Sequence, residues 1–303
     1  MTRSLLSILV GIVLAVPFIA VADLKVATLH PLLDDLAKNV GGEHVVVVPM
    51  MGEGADPHAF DPKPSDLIKA DSSRLILASG KGLETYLKKI GGNLQPGQEI
   101  FEVGRKIPSL KVEVGAVFAC CPNHSQGAID PHWWHGISSM QRATRYLAAE
   151  FCRVDPENAA AYKANAKAYS KKLDELSNWA KEELSKIPRS DRSLATSHAA
   201  FGYFCREFGF KAVPVQGLNR EREPTPKYLG ETVEVIKKQK IKAVFPEHFA
   251  NDKVLKSMVR GTGVKLAGSL IADGVGFGEA ATYEGMMRHN VSTIVAALGT
   301  EKE

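Results

Sequence analysis

At 303 residues the chain is long for a single small domain and suits two lobes of ordinary size. With 45% hydrophobic and 24% charged residues each lobe can bury a core, which excludes a disordered chain. A net charge of +4, with no Lys/Arg run, excludes a nucleic-acid-binding surface.

In chain order, the first element is a leader. Arg3 gives a basic start, Leu5 to Ile19 form an apolar stretch, and Ala20-Val21-Ala22 is a small-x-small cleavage pattern. This predicts a secretory signal over residues 1–22 and a mature chain from Asp23. A membrane span is the alternative, but Asp23 and Lys25 close the stretch short of the roughly 20 apolar residues a span needs. No cysteine precedes Cys120, so a lipid anchor is not expected, and a monomeric periplasmic protein is.

Leu24–Leu29 predicts a buried strand and Pro31–Val40 the helix behind it. Val45–Met50, Arg74–Ala78 and Glu99–Val103 predict further strands, with a short helix at Pro64–Asp71. Asp155 to Ile187 contains no glycine, and Tyr162, Ala166, Tyr169, Leu173, Leu176 and Ala180 recur at three- and four-residue steps. That predicts one linking helix over 155–188, capped at Asp155-Pro156 and stopped by Pro188, on the order of 48 Å long. Alternation then resumes. Strands are expected at Ser193–Ser197, Ala212–Val215, Ala243–Phe245 and Val264–Leu270. Helices are expected at His198–Phe208, Pro226–Gln239, Asn251–Gly261 and Ala281–Leu298. The expected fold class is α/β: two lobes of parallel sheet flanked by helices, over 23–154 and 189–303, joined by one long rigid helix. Ligands in such sheets bind beyond the carboxyl ends of the strands, here in the cleft between the lobes.

Three of nine histidines fall in those strand-end loops. His58 lies in Asp56-Pro57-His58, His132 in Asp130-Pro131-His132-Trp133-Trp134, and His198 in Ser197-His198-Ala199-Ala200-Phe201-Gly202-Tyr203. Asp273 follows the last expected strand. Imidazoles with one carboxylate suit a borderline metal. Asp-Pro-His is equally a turn sequence, so spacing alone leaves both readings open.

Taken as a set, these segments, with Glu223-Pro224-Thr225-Pro226 and Thr282-Tyr283-Glu284-Gly285-Met286-Met287, resemble the zinc and manganese solute-binding proteins of ABC importers, the ZnuA/TroA-like family. The resemblance runs from Leu24 to about Leu298. It implies metal ligands at His58, His132, His198 and Asp273, with the metal in the interlobe cleft. It also implies delivery to a membrane permease, with a periplasmic metallochaperone as a further partner. Manganese-selective relatives often carry a glutamate where this chain has His198, so zinc is expected before manganese. A zinc-dependent hydrolase with Glu247 as base is the competing reading. It lacks an open coordination position and any His-Glu-x-x-His or Gly-x-Ser-x-Gly motif, so no enzyme is expected.

Other residues stand apart from that set. Cys120 and Cys121 are neighbours that pair with each other only under strain, which predicts a bridge from one of them to Cys152 or Cys205. His124 sits where many zinc relatives carry a long His-rich loop. His135 replaces a usually apolar residue and reads as a surface group or as a neighbour of the site. Glu247 is expected to hydrogen-bond a ligand imidazole. His30, His44, His248 and His289 read as structural.

Overall fold

A computed structural model describes residues 23–52, 54–112, 128–215, 218, 226–248 and 253–300. The leader, Cys120, Cys121, His124 and Glu223-Pro224-Thr225 lie outside them.

Two sheets of four parallel strands form the lobes, ordered β2-β1-β3-β4 and β6-β5-β7-β8. In the first, β1 (Leu24–Thr28) and β3 (Leu75–Ala78) are short apolar runs at the centre, with Val26 opposite Val47 on one side and Leu75 on the other. Such runs belong inside a parallel sheet covered on both faces. The edge strands β2 (Val45–Pro49) and β4 (Glu99–Glu102) are more exposed. The second sheet repeats the plan with β5 (Ser193–Thr196) and β7 (Ala243–Phe245) inside, and β6 (Lys211–Pro214) and β8 (Lys265–Leu266) at the edges. The expected strand over Val264–Leu270 is only two residues long. Beyond it, Leu270 makes a single parallel bridge to Glu247.

Helices α1 (Pro31–Gly41), α2 (Pro64–Ala70) and α3 (Leu87–Gly91) belong to the first lobe. Sequence reasoning missed α4 (Ile137–Val154), although it buries Ile137, Met140, Ala143, Thr144, Leu147 and Phe151 at helical spacing. The long helix α5 spans Ala159–Ser185 and does not start at Asp155. Asp155 instead caps α4 through its backbone N–H, and its carboxylate accepts from Asn158 Nδ2 and the Tyr162 hydroxyl. A separate 3-10 turn over Pro156–Asn158 results. The second lobe adds α6 (Gly202–Phe208), α7 (Pro226–Lys238), α8 (Lys253–Thr262) and α9 (Tyr283–Leu298).

One apolar cluster runs through both lobes. It holds Leu32, Leu36 and Leu77 from the first, Tyr162, Tyr169, Leu173 and Leu176 from α5, and Phe204, Phe245, Tyr283 and Ile294 from the second. Polar ties cross the same boundary. Tyr203 OH donates to Pro108 O and accepts from Leu110 N, both at 3.0 Å. Tyr283 OH donates to Trp134 O at 2.9 Å, and Asp35 accepts from Tyr283 N at 3.1 Å. The lobes are therefore packed on each other as well as strung on one helix.

Candidate metal centre

Each Asp-Pro-His segment is a turn, and the turn presents the histidine. Asp56 Oδ1 accepts from His58 N, and Asp130 Oδ1 from His132 N, each at 2.9 Å. This is the side-chain-to-backbone bond by which aspartate closes a turn two residues on. Asp130 Oδ1 also receives His132 Nδ1 at 2.8 Å. Gly202, at the start of α6, comes so close to Asp130 that a Cβ there would lie 2.4 Å from Oδ2. Glycine is what the second lobe needs to seat beside that carboxylate. His198 follows β5 and is gripped the same way, with Glu247 accepting from its backbone N at 3.0 Å and from Nδ1 at 2.6 Å. Bonds to Nδ1–H assign the Nε2 lone pairs of both rings to the cleft.

The four sequence-predicted residues converge. One donor atom from each of His58, His132, His198 and Asp273 lies within 4.8 Å of all the others. The Nε2 atoms of His58 and His132 are 3.0 Å apart, too close for two facing lone pairs without a proton or cation between them. Asp273 Oδ1 lies 3.5 Å from His58 Nε2 and 3.4 Å from His132 Nε2, and Oδ2 lies 3.5 Å from His198 Nε2. A tetrahedral ion with bonds of about 2.0–2.1 Å needs donor–donor edges of about 3.3–3.4 Å. Several of the donor separations are near that edge, and the set as a whole, within 4.8 Å, would close further around such an ion. Beside it a cavity of about 400 Å³ is bordered by Asp34, Asp35, Asp56 and Asp273 against one cation, Lys38, so carboxylates outnumber cations on the approach.

Without the ion these groups hold protons among themselves. Burial, the largest effect on His198, lowers its pKa, but the carboxylates of Glu247 and Asp273 outweigh it and lift the pKa to about 10. His132 is likewise raised, with burial overcome by Asp130 and Asp273. Burial would raise Asp273, yet His198 and the hydrogen bonds from the three rings hold it well below the usual carboxylate range. Burial lowers His58. A metal must therefore displace a proton that the cluster binds well. Below a pKa of about 10 the metal-free His198 is protonated, so affinity should rise with pH, by up to about tenfold per unit between pH 7 and 9. Calorimetry in buffers of different ionisation enthalpy should detect at least one proton released per ion near pH 7, from His198 and, to a smaller extent, from His132. No proton release would contradict this arrangement.

Glu247 is the imidazole partner expected from sequence. Both of its oxygens are engaged by His198, which leaves it poorly placed as a base. Sequence reasoning gave no role to Asp130, although its place two residues before His132 carried the signal. His135 is not a surface group. It is fully buried, stacked on Phe201 at 4.3 Å, with Nε2 donating to Ala272 O at 2.9 Å. His30 caps α1, its Nδ1 accepting from Leu32 N, and lies against Trp134. His248 and His289 pack edge to face. Cys152 and Cys205 carry no disulfide among the described residues, so they are not bridged to each other.

The family description "Zinc-uptake complex component A periplasmic" (ZnuA) matches residues 26–297. The manganese-binding lipoprotein MntA of Bacillus subtilis is 33% identical, covering 91% of this chain and 90% of its own. The iron-binding protein YfeA of Yersinia pestis is 31% identical, covering 91% and 86%. Among solved structures, the periplasmic zinc-binding protein TroA of Treponema pallidum matches with a TM-score of 0.82 and 27% identity, covering 92% of this chain and 100% of that one.

Proposed function

Since the chain belongs to the ZnuA family, whose members are solute-binding proteins of ABC importers and not enzymes, we propose that it captures one zinc ion outside the cytoplasm and hands it to an importer's permease. That it is a metal-binding component of such a transporter follows from the family. The choice of ion, the four ligands, the periplasmic location and the cleavage after Ala22 are the proposal. The observation that carries it is the convergence of three imidazoles and one carboxylate within 4.8 Å. His58 and His132 would come from the first lobe, and His198 and Asp273 from the second. Three nitrogens and one oxygen suit tetrahedral zinc, whereas manganese favours more oxygen donors.

Manganese is the second reading, favoured by the 33% identity to a manganese-binding relative. Native mass spectrometry of the chain from Asp23 with saturating zinc should show one tightly held ion. No retained ion would end the proposal. Manganese displacing zinc at equal concentration would shift it to the second reading.

A further inference from the structure

His135 is a buried histidine that the metal cluster does not use. Its ring has Phe201 stacked on it and the carbonyl of Ala272 2.9 Å from Nε2. The Trp134 indole donates to the same oxygen at 2.9 Å. Two adjacent residues of the first lobe thus fill both lone pairs of one carbonyl in the second. That carbonyl belongs to the planar peptide unit that leads into Asp273. Just upstream, Asn290 holds Ile271 by both its N–H and its C=O, each at 2.8 Å. Strand β8 has ended at Leu266 and backbone pairing returns only at Leu270, so beyond Leu270 these side-chain bonds help to aim Ile271 and Ala272.

A histidine here is costly if packing is all it does. Nδ1 is buried without a hydrogen bond among the described residues, a loss that an apolar side chain would avoid. What the ring adds is the second donor to Ala272.

We propose that His135 is a positioning residue: it latches the Ala272 carbonyl across the lobe boundary, with or without metal, and thereby holds Asp273 against the three imidazoles and slows the ion's departure. The proposal rests on the metal-capture reading. An ion leaves when one donor swings away, and Asp273, which like the three histidines lies outside helices and strands, is the one carboxylate of the set. With Trp134 alone the peptide unit is free to pivot about a single bond.

The test mixes zinc-loaded wild type, His135→Leu and His135→Gln with excess chelator and follows zinc loss by stopped flow. The leucine variant should release zinc about fivefold faster, the scale of one net buried hydrogen bond. Glutamine, whose amide supplies a donor, should return the rate to within about twofold of wild type. Cobalt-loaded leucine variant should keep the wild-type visible absorption, because the four donors are unchanged. Equal release from leucine variant and wild type, or no rescue by glutamine, would overturn the latch. A second measurement needs no variant and decides the matter if the leucine chain does not fold. In chelator-treated wild type the His135 Nε2–H proton should remain visible by NMR, as only a shielded, hydrogen-bonded imidazole proton does. Its absence would refute a metal-independent latch, whereas failure of wild type to retain zinc would strike the capture reading instead.

Discussion

His198→Ala should weaken zinc binding by roughly 100-fold or more, because removing a partner of a ligand already costs about 10–100-fold and this change removes the ligand itself. The variant loses a nitrogen from the second lobe and leaves Glu247, buried beside it, without the imidazole it grips. Asp273→Ala should cost as much by another route. It removes the carboxylate that faces all three Nε2 atoms, leaving the ion's charge balanced by carboxylates that do not touch it, chiefly Asp130 and Glu247 behind the rings. Competition titration against a chelating dye measures both. Unchanged affinity in either variant would strike that residue from the site.

Zinc should raise the melting temperature by on the order of 10 °C. A ligand that binds only the folded chain adds about 4 kcal/mol at a thousandfold excess over Kd, and a chain of this size gains a few degrees per kcal/mol. The effect should be large because the donors come from both lobes and no cluster exists in the unfolded chain. Addition of a chelator should reverse it. A melting temperature indifferent to zinc would mean that the cluster holds no ion.

Much of this was readable in the chain because the signals are local. The central strands are short β-branched or aliphatic runs, and all six positions assigned to the buried face of the long helix are buried. The four candidate ligands were placed in loops after expected strands, but it was the family resemblance that singled them out, and the structure brings them together. What escaped depends on contacts distant in sequence. The start of α5 moved because the Asp155 side chain reaches forward to Asn158 and Tyr162 in place of capping. Helix α4 was legible in its spacing but went unassigned. The shortness of β8 follows from the loop at Leu270 pairing with Pro246 and His248, a partnership no local pattern announces. Trp134 and His135 find their acceptor 138 and 137 residues away.

The apolar cluster shared by the two lobes has a consequence for how the chain comes into being. Synthesis supplies residues from the N-terminus, yet Met286, Val291, Ile294 and Leu298 of the last helix are walls of the same core as Leu24 and Val26 of the first strand. The core stays open along one side until the helix Tyr283–Leu298 has emerged. A nascent chain of this design remains unlocked until that helix is made, the condition in which a polypeptide can still be threaded through a narrow pore.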